Sequence, residues 1–187
     1  MAGMTLAQRL EALAARHWWQ RPPTLLARAL KPLAWLYGCL AARARRRAVA
    51  QAATLPPSHV PVLVVGNLIV GGAGKTPTVI ALVQWLRGQG FHPGVISRGH
   101  GRSGAAPMLV DATADATAVG DEPLLIHLRS GAPVAVGRDR VAALAALLAQ
   151  DPRIDIVIAD DGLQHLRLAR DLQLIVFDER GAGNGLL

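Results

Sequence analysis

The sequence predicts an α/β fold, a mostly parallel sheet with helices on both faces, preceded by a basic helical segment. Three features predict it. Short runs of Val and Ile alternate with stretches of helical periodicity over the last three-quarters of the chain, the pattern of strands buried on both faces. A Gly-rich loop ending in Lys75-Thr76 follows the first such run and precedes the first such helix. The excess positive charge is confined to the first quarter: residues 1–50 carry nine Lys/Arg against one acid, a net of +8, and residues 51–187 carry eleven against twelve, a net of −1.

With 187 residues, 51% of them apolar, the chain is long enough for one domain with a real core and a short appendage. The single cysteine, Cys39, excludes an intrachain disulfide and fits a reducing compartment. We divide the sequence into a basic amphipathic membrane-associating segment, 1–53, and a core domain, 54–187.

In the first segment, Thr5 and Gln8 form a capping box that opens a helix carrying Leu6, Leu10 and Leu13, followed by Trp18 and Trp19. Pro22 and Pro23 break it. A second helical series runs through Leu26, Leu30, Leu33, Leu36, Tyr37 and Leu40, with Pro32 set to kink or restart it and Arg43, Arg45, Arg46 and Arg47 closing it. The apolar run Leu33–Ala42 is far short of the roughly 20 residues that span a bilayer. Apolar face, aromatics and an Arg cluster together predict a helix lying on an anionic membrane surface. A helical hairpin packed on its own domain is the simpler alternative. Nucleic acid is not predicted as a partner, because no nucleic-acid fold signature accompanies the basic residues.

The Pro-rich stretch Thr54–Pro61 links the segments. Val62–Val65 then reads as a strand, Lys75–Arg87 as a helix stopped by Gly88, and Gly94–Ser97 as a strand. Asp121 is placed as the cap of a helix with Pro123 in its first turn and Gly131 at its end. Val134–Val136 reads as a strand, Arg138–Ala149 as a helix with Asp139 an ordinary first-turn residue, and Ile154–Ala159 and Leu172–Phe177 as further strands.

The chemistry concentrates in loops after strands. Gly71, Gly72, Ala73 and Gly74 let successive backbone N–H groups point at phosphate oxygens at a helix N-terminus. Lys75 then adds an ammonium for the β/γ-phosphates and Thr76 a hydroxyl for Mg²⁺. Ile69 stands where a strict Walker A has its first glycine, so the loop is a G-G-x-G-K-T variant of the P-loop NTPase type. Asp160 and Asp161, at the end of the Ile154–Ala159 strand, supply the acids that such sites need for Mg²⁺. Neighbouring residues of a strand face opposite ways, so one is nearer the metal, and sequence does not choose between them. Arg98 with His100, Asp121, and Gln164 with His165 lie in other polar, Gly-flanked loops, and Arg138 stands in the charged first turn of the helix after Gly137.

The segments Asn67–Pro77, Ser97-Arg98-Gly99, Val119-Gly120-Asp121-Glu122-Pro123, Gly137-Arg138-Asp139-Arg140, Asp160-Asp161-Gly162-Leu163-Gln164-His165 and Gly183-Asn184-Gly185 occur in this order. Together they resemble the tetraacyldisaccharide 4'-kinases, the lipid A 4'-kinases of Gram-negative bacteria. The resemblance implies transfer of the γ-phosphate of ATP to the 4'-hydroxyl of the lipid A disaccharide precursor, at the cytoplasmic face of the inner membrane. It implies Lys75 and Thr76 as the P-loop pair, Asp121 as the catalytic group at the sugar hydroxyl, Asp160 and Asp161 on the Mg²⁺ side, and Arg98, Arg138, Gln164 and His165 near phosphates and substrate. Family members usually have Tyr where His100 stands, which alters a substrate contact. They also continue into a C-terminal lobe that supplies a histidine partner for the catalytic aspartate, so the chain reads as an N-terminal lobe. The alternatives are a nucleotide-binding lobe without activity and a membrane-recruited P-loop ATPase or GTPase. Val70, where such regulators carry an extra Lys, and the lack of an Asn-Lys-x-Asp signature argue against the last.

Overall fold

In the computed structural model, residues 24–52, 58–67, 74–99, 104 and 106–179 are described. The capping box at Thr5, the paired tryptophans Trp18 and Trp19, the loop residues Gly71, Gly72 and Ala73, His100 and Gly183-Asn184-Gly185 fall outside them. The chain divides into two compact units, Arg47–Asp178 and a second made of Met1–Arg46 with Glu179–Leu187.

The helical series breaks as Pro32 predicts. A short helix α1 spans Leu25–Ala29, Leu30 turns, and α2 runs Lys31–Ala52 with Pro32 in its first turn, where a missing N–H costs nothing. Helix α2 continues past the Arg cluster instead of ending at it, because Ala48, Ala50 and Ala52 are good helix formers. Leu33, Trp35, Leu36, Tyr37 and Leu40 along it are exposed. Among the described residues no helix is long and apolar enough to cross a membrane.

The core unit is a six-stranded sheet: β1 Val62–Gly66, β2 Pro93–Ser97, β3 Met108–Val110, β4 Val134–Val136, β5 Ile156–Asp160 and β6 Leu172–Ile175. Its spatial order is β3-β4-β2-β5-β1-β6, and only β3 runs antiparallel, on β4. Three further helices complete the long crossovers: α3 Lys75–Gly88, α5 Asp121–Ser130 and α6 Arg140–Gln150, with a short α4 at Ala116–Val119.

The pleat sorts the core into two layers. Leu63, Val65, Val95, Val134 and Ile158 meet Val79, Val83 and Leu86 of α3 and Ile126 of α5. Their alternating neighbours Val62, Val64, Ile96, Val157 and Ala159 meet Ala143, Leu144 and Leu147 of α6. The β1–α3–β2 and β4–α6–β5 crossovers run in opposite directions across the sheet, so the right-handed rule puts their helices on opposite faces, as observed.

Several element boundaries differ from expectation. Asp121 is the first residue of α5, and the cap position before it is Gly120, at φ 95° and ψ 148°, a conformation open to glycine alone. Helix α6 begins at Arg140 instead of Arg138, because Asp139 is its N-cap and accepts from the N–H groups of Val141 and Ala142. Strand β5 begins at Ile156, since the Ile154 N–H donates to the Asp151 carbonyl in the preceding turn and the Asp155 N–H to the carbonyl of His92, just before β2. Strand β3 and helix α4 are additions, too short to show a period.

Candidate functional site

The parallel strands bring their carboxyl ends to one edge of the sheet, where ligands of open α/β sheets bind. Strand β1 ends at Gly66, and Asn67 follows; the chain returns at Gly74, which caps α3 in the left-handed region at φ 78°. Helix α3 thus opens with Lys75 and Thr76, both half-buried, at the positive end of its dipole. The Lys75 ammonium donates to Asn67 Oδ1 at 2.7 Å and stands 3.6 Å from Asp161 Oδ1. Anchored from two sides, it is held over the end of β1.

Strand β5 lies directly beside β1, with Asp160 paired in register with Val65. The two aspartates separate as the pleat requires. Asp160 is the last strand residue and is 1% exposed. Asp161 lies beyond the strand at φ 52°, a left-handed position that Asp tolerates, and its side chain is half-exposed toward Lys75. Neither caps a following helix, since a turn follows them.

Asp160 has a built environment. Ser97 Oγ, at the end of the adjacent strand β2, donates to Asp160 Oδ2 at 3.0 Å. Asp160 Oδ1 is buried with no hydrogen-bond partner among the described residues. Burial pushes its carboxyl up to about 6, with help from the nearby acids Glu122 and Asp161, while the Ser97 hydrogen bond and Lys75 pull the other way. Arg140, 2% exposed, donates to the carbonyls of Gly137 and Asp160 and so ties β4 to β5. Burial lowers the Arg140 guanidinium to about 10, against the pull of Asp160 and Asp161, so it remains charged at neutral pH.

His165 follows on the turn after β5, with its carbonyl held by Arg170 at 2.6 Å. Burial, then the charges of Arg140 and Arg98, hold its imidazole below the ordinary value, and Asp161 opposes them. Lys75, Asp160, Asp161, His165 and Arg98 therefore form one electrostatic group. Asp121, the first residue of α5, and Arg138 and Gln164, on loops that follow strands, are exposed and share no hydrogen bond or ion pair with the aspartates among the described residues. Sequence reading missed Asn67, Ser97, Glu122 and Arg140 as members of this group. Each stands inside a motif, and only strand adjacency shows which of them turn inward.

The site fits a divalent cation. An orphaned carboxylate oxygen in a dry setting is costly unless a cation or proton meets it. Oxygen donors from carboxylate and hydroxyl are the set that Mg²⁺ takes, together with phosphate oxygens.

A family model described as Tetraacyldisaccharide-1-P 4'-kinase, LpxK, matches residues 26–187. The chain belongs to this family. The tetraacyldisaccharide 4'-kinase of Methylibium petroleiphilum is 59% identical over 179 residues, covering 95% of this chain and 49% of that protein. The tetraacyldisaccharide 4'-kinase of Herminiimonas arsenicoxydans is 53% identical over 181 residues, again covering 95% of this chain and 49% of its own length. The crystal structure of LpxK from Aquifex aeolicus in complex with ATP superposes with a TM-score of 0.67 at 30% identity, covering 81% of this chain and 49% of that one. The chain thus spans about half the length of the LpxK relatives it matches. The shared fold is the mostly parallel P-loop sheet expected from the sequence.

Proposed function

We propose that this chain forms the nucleotide-binding half of an enzyme that transfers the γ-phosphoryl group of ATP to the 4'-hydroxyl of the tetraacyldisaccharide 1-phosphate precursor of lipid A. The observation that carries this reading is the juxtaposition of Lys75, at the N-terminus of α3, with Asp160 and Asp161 at the end of the neighbouring strand. Phosphoryl transfer asks a protein for positioning and charge neutralisation, and this arrangement supplies both.

Each residue has a role in that reaction. Peptide N–H groups of residues 72–76 bind phosphate oxygens, and the Lys75 ammonium neutralises the β/γ oxygens. Thr76, Asp160 and Asp161 would hold Mg²⁺, which when bound would neutralise charge that develops on the transferring phosphoryl group. Asp121, free in solvent at the start of α5, accepts or orients the proton of the attacking sugar hydroxyl. We assign Arg98, Arg138, Gln164 and His165, together with His100, to the acceptor side. The neutral state favoured at His165 suits it to hydrogen bonding with a sugar. The A. aeolicus LpxK complex with ATP supports the nucleotide assignment.

We assign the membrane contact to α2. Its exposed Leu33, Trp35, Leu36, Tyr37 and Leu40 with Arg43, Arg45, Arg46 and Arg47 suit the anionic cytoplasmic face of the bacterial inner membrane.

The test is calorimetric titration with ATP, followed by transfer of labelled phosphate to the disaccharide in detergent micelles. Wild type binds ATP, and Lys75→Ala loses about 10²–10³-fold in turnover where transfer occurs, the cost of removing one preorganised charge-stabilising donor. Equal ATP affinity in Lys75→Ala and wild type would falsify the site. A second reading, nucleotide binding without transfer, predicts binding with no labelled product.

A further inference from the structure

We propose that Ser97 and Arg140 are positioning residues that present a single oxygen of Asp160 to the cation accompanying the nucleotide. This rests on the phosphoryl-transfer reading above and assigns duties to two residues outside its reacting groups. Strand periodicity turns Ser97 to the same face as Val95, and Asp160 to the same face as Ile158, under α3 and α5. The β2–β5 register, which pairs Ile96 with Ala159, makes Ser97 and Asp160 the next cross-strand neighbours.

The hydrogen bonds then divide the carboxylate. Ser97 Oγ occupies Oδ2 at 3.0 Å, and Oδ1 has no partner among the described residues. The nearest buried cation does not take Oδ1. Arg140 donates through one terminal nitrogen to the Gly137 carbonyl and through the other to the Asp160 carbonyl at 3.3 Å. Its Nε, like Asp160 Oδ1, is unpartnered among the described residues. A guanidinium paired head-on with the carboxylate would block both oxygens. Bound to the two main-chain carbonyls, it fixes the ends of β4 and β5 and leaves Oδ1 available. Burying this charge is costly, and the arrangement does not recover that cost through a carboxylate pair. The fixed strand end explains what the buried charge is for. A residue that only filled the core would need neither the hydroxyl nor the fork.

The experiment is calorimetric titration of the 187-residue chain with ATP, once in EDTA and once in excess Mg²⁺. Wild type should gain affinity with Mg²⁺. Ser97→Ala should lose about tenfold of that gain, the size of one hydrogen bond to a charged group, with affinity in EDTA within about twofold of wild type. Ser97→Thr should keep the gain. Ser97→Cys, similar in volume but a weak donor, should lose it and decides the matter if Ser97→Ala does not fold. Arg140→Lys, which keeps charge but not the fork, should lose it too. A full Mg²⁺ gain in folded Ser97→Ala or Ser97→Cys overturns the proposal, as does an equal loss in EDTA and Mg²⁺. Wild type that binds ATP with no Mg²⁺ gain also overturns it, while leaving the nucleotide site standing. Wild type that binds no ATP at all removes the function reading and this inference with it.

Discussion

At Asp160 and Asp161, two identical side chains acquire opposite surroundings from a single step of the backbone: one is sealed beneath two helices, the other half in water beside an ammonium. That a division exists follows from the period of a strand; its direction depends on which face α3 covers, a tertiary fact. The turn after them carries two residue-level predictions. His165 is neutral in the fold at pH values where it would charge in an unfolded chain, because burial and the guanidinium groups of Arg140, Arg98 and Arg170 oppose the proton. Its contribution to stability is complete above the ordinary value of 6.5 and falls away as pH drops below it. An NMR titration should therefore place the His165 midpoint below 6.5, and His165→Gln should flatten the acid side of the melting profile; a midpoint at or above 6.5 would contradict the burial argument. Gly66 is the second case. A Cβ there would lie 2.5 Å from Leu163 Cγ and 2.7 Å from its Cδ1. The glycine lets the turn after β5 fold back over β1, so Gly66→Ala must displace Leu163. We expect a loss of about 1–3 kcal/mol, the usual cost of overpacking, read as a lower urea midpoint; unchanged stability would mean that the turn moves freely.

Among the elements, those with a long apolar period were legible and those without one were not. Strand β4 falls on Val134–Val136 as read from three consecutive apolar residues between turn signals, and α3 starts at Lys75 as its P-loop context requires. Strand β3, only Met-Leu-Val at an antiparallel edge, has too few residues to show alternation, and α4 is a single turn. The start of α6 was misplaced for a chemical reason. Arg138-Asp139-Arg140 resembles a charged first turn, yet Asp is a stronger N-cap than it is a helix former, and its Oδ1 meets the Val141 and Ala142 N–H groups at 2.9 and 3.2 Å. Asp139→Ala should therefore cost about 1 kcal/mol of stability, and Asp139→Ser should restore most of it. Because the cap sets where α6 begins, it also sets where Arg140 starts its reach to the Gly137 and Asp160 carbonyls. Chemical denaturation of the two variants checks this, and equal stability of wild type and Asp139→Ala would contradict the cap.

For the molecule as a whole, strand order is the property that sequence concealed and the site most depends on. Nothing in the runs of Val and Ile says that β5 inserts between β1 and β2, yet that insertion sets Asp160 beside both the end of β1 and Ser97. Charge distribution, by contrast, was open to reading. A near-neutral core carrying a strongly basic segment suits attraction to an anionic surface, the contact proposed for α2. Helix α2 bears this separation along its length, with exposed Trp35 and Tyr37 before four arginines. Each arginine near an anionic bilayer contributes about 1 kcal/mol, screened by salt, whereas the aromatic and aliphatic contribution is not. Replacing Arg43, Arg45, Arg46 and Arg47 by Ser should thus weaken binding to phosphatidylglycerol-rich vesicles by at least about a hundredfold at low salt, and should change binding to phosphatidylcholine vesicles little. Trp35→Ala should weaken both by similar factors. Co-sedimentation at two salt concentrations measures the four arms. Wild type that binds neutral and anionic vesicles equally would remove the electrostatic part of the argument, because a helix attracted by charge cannot be indifferent to the charge of the bilayer.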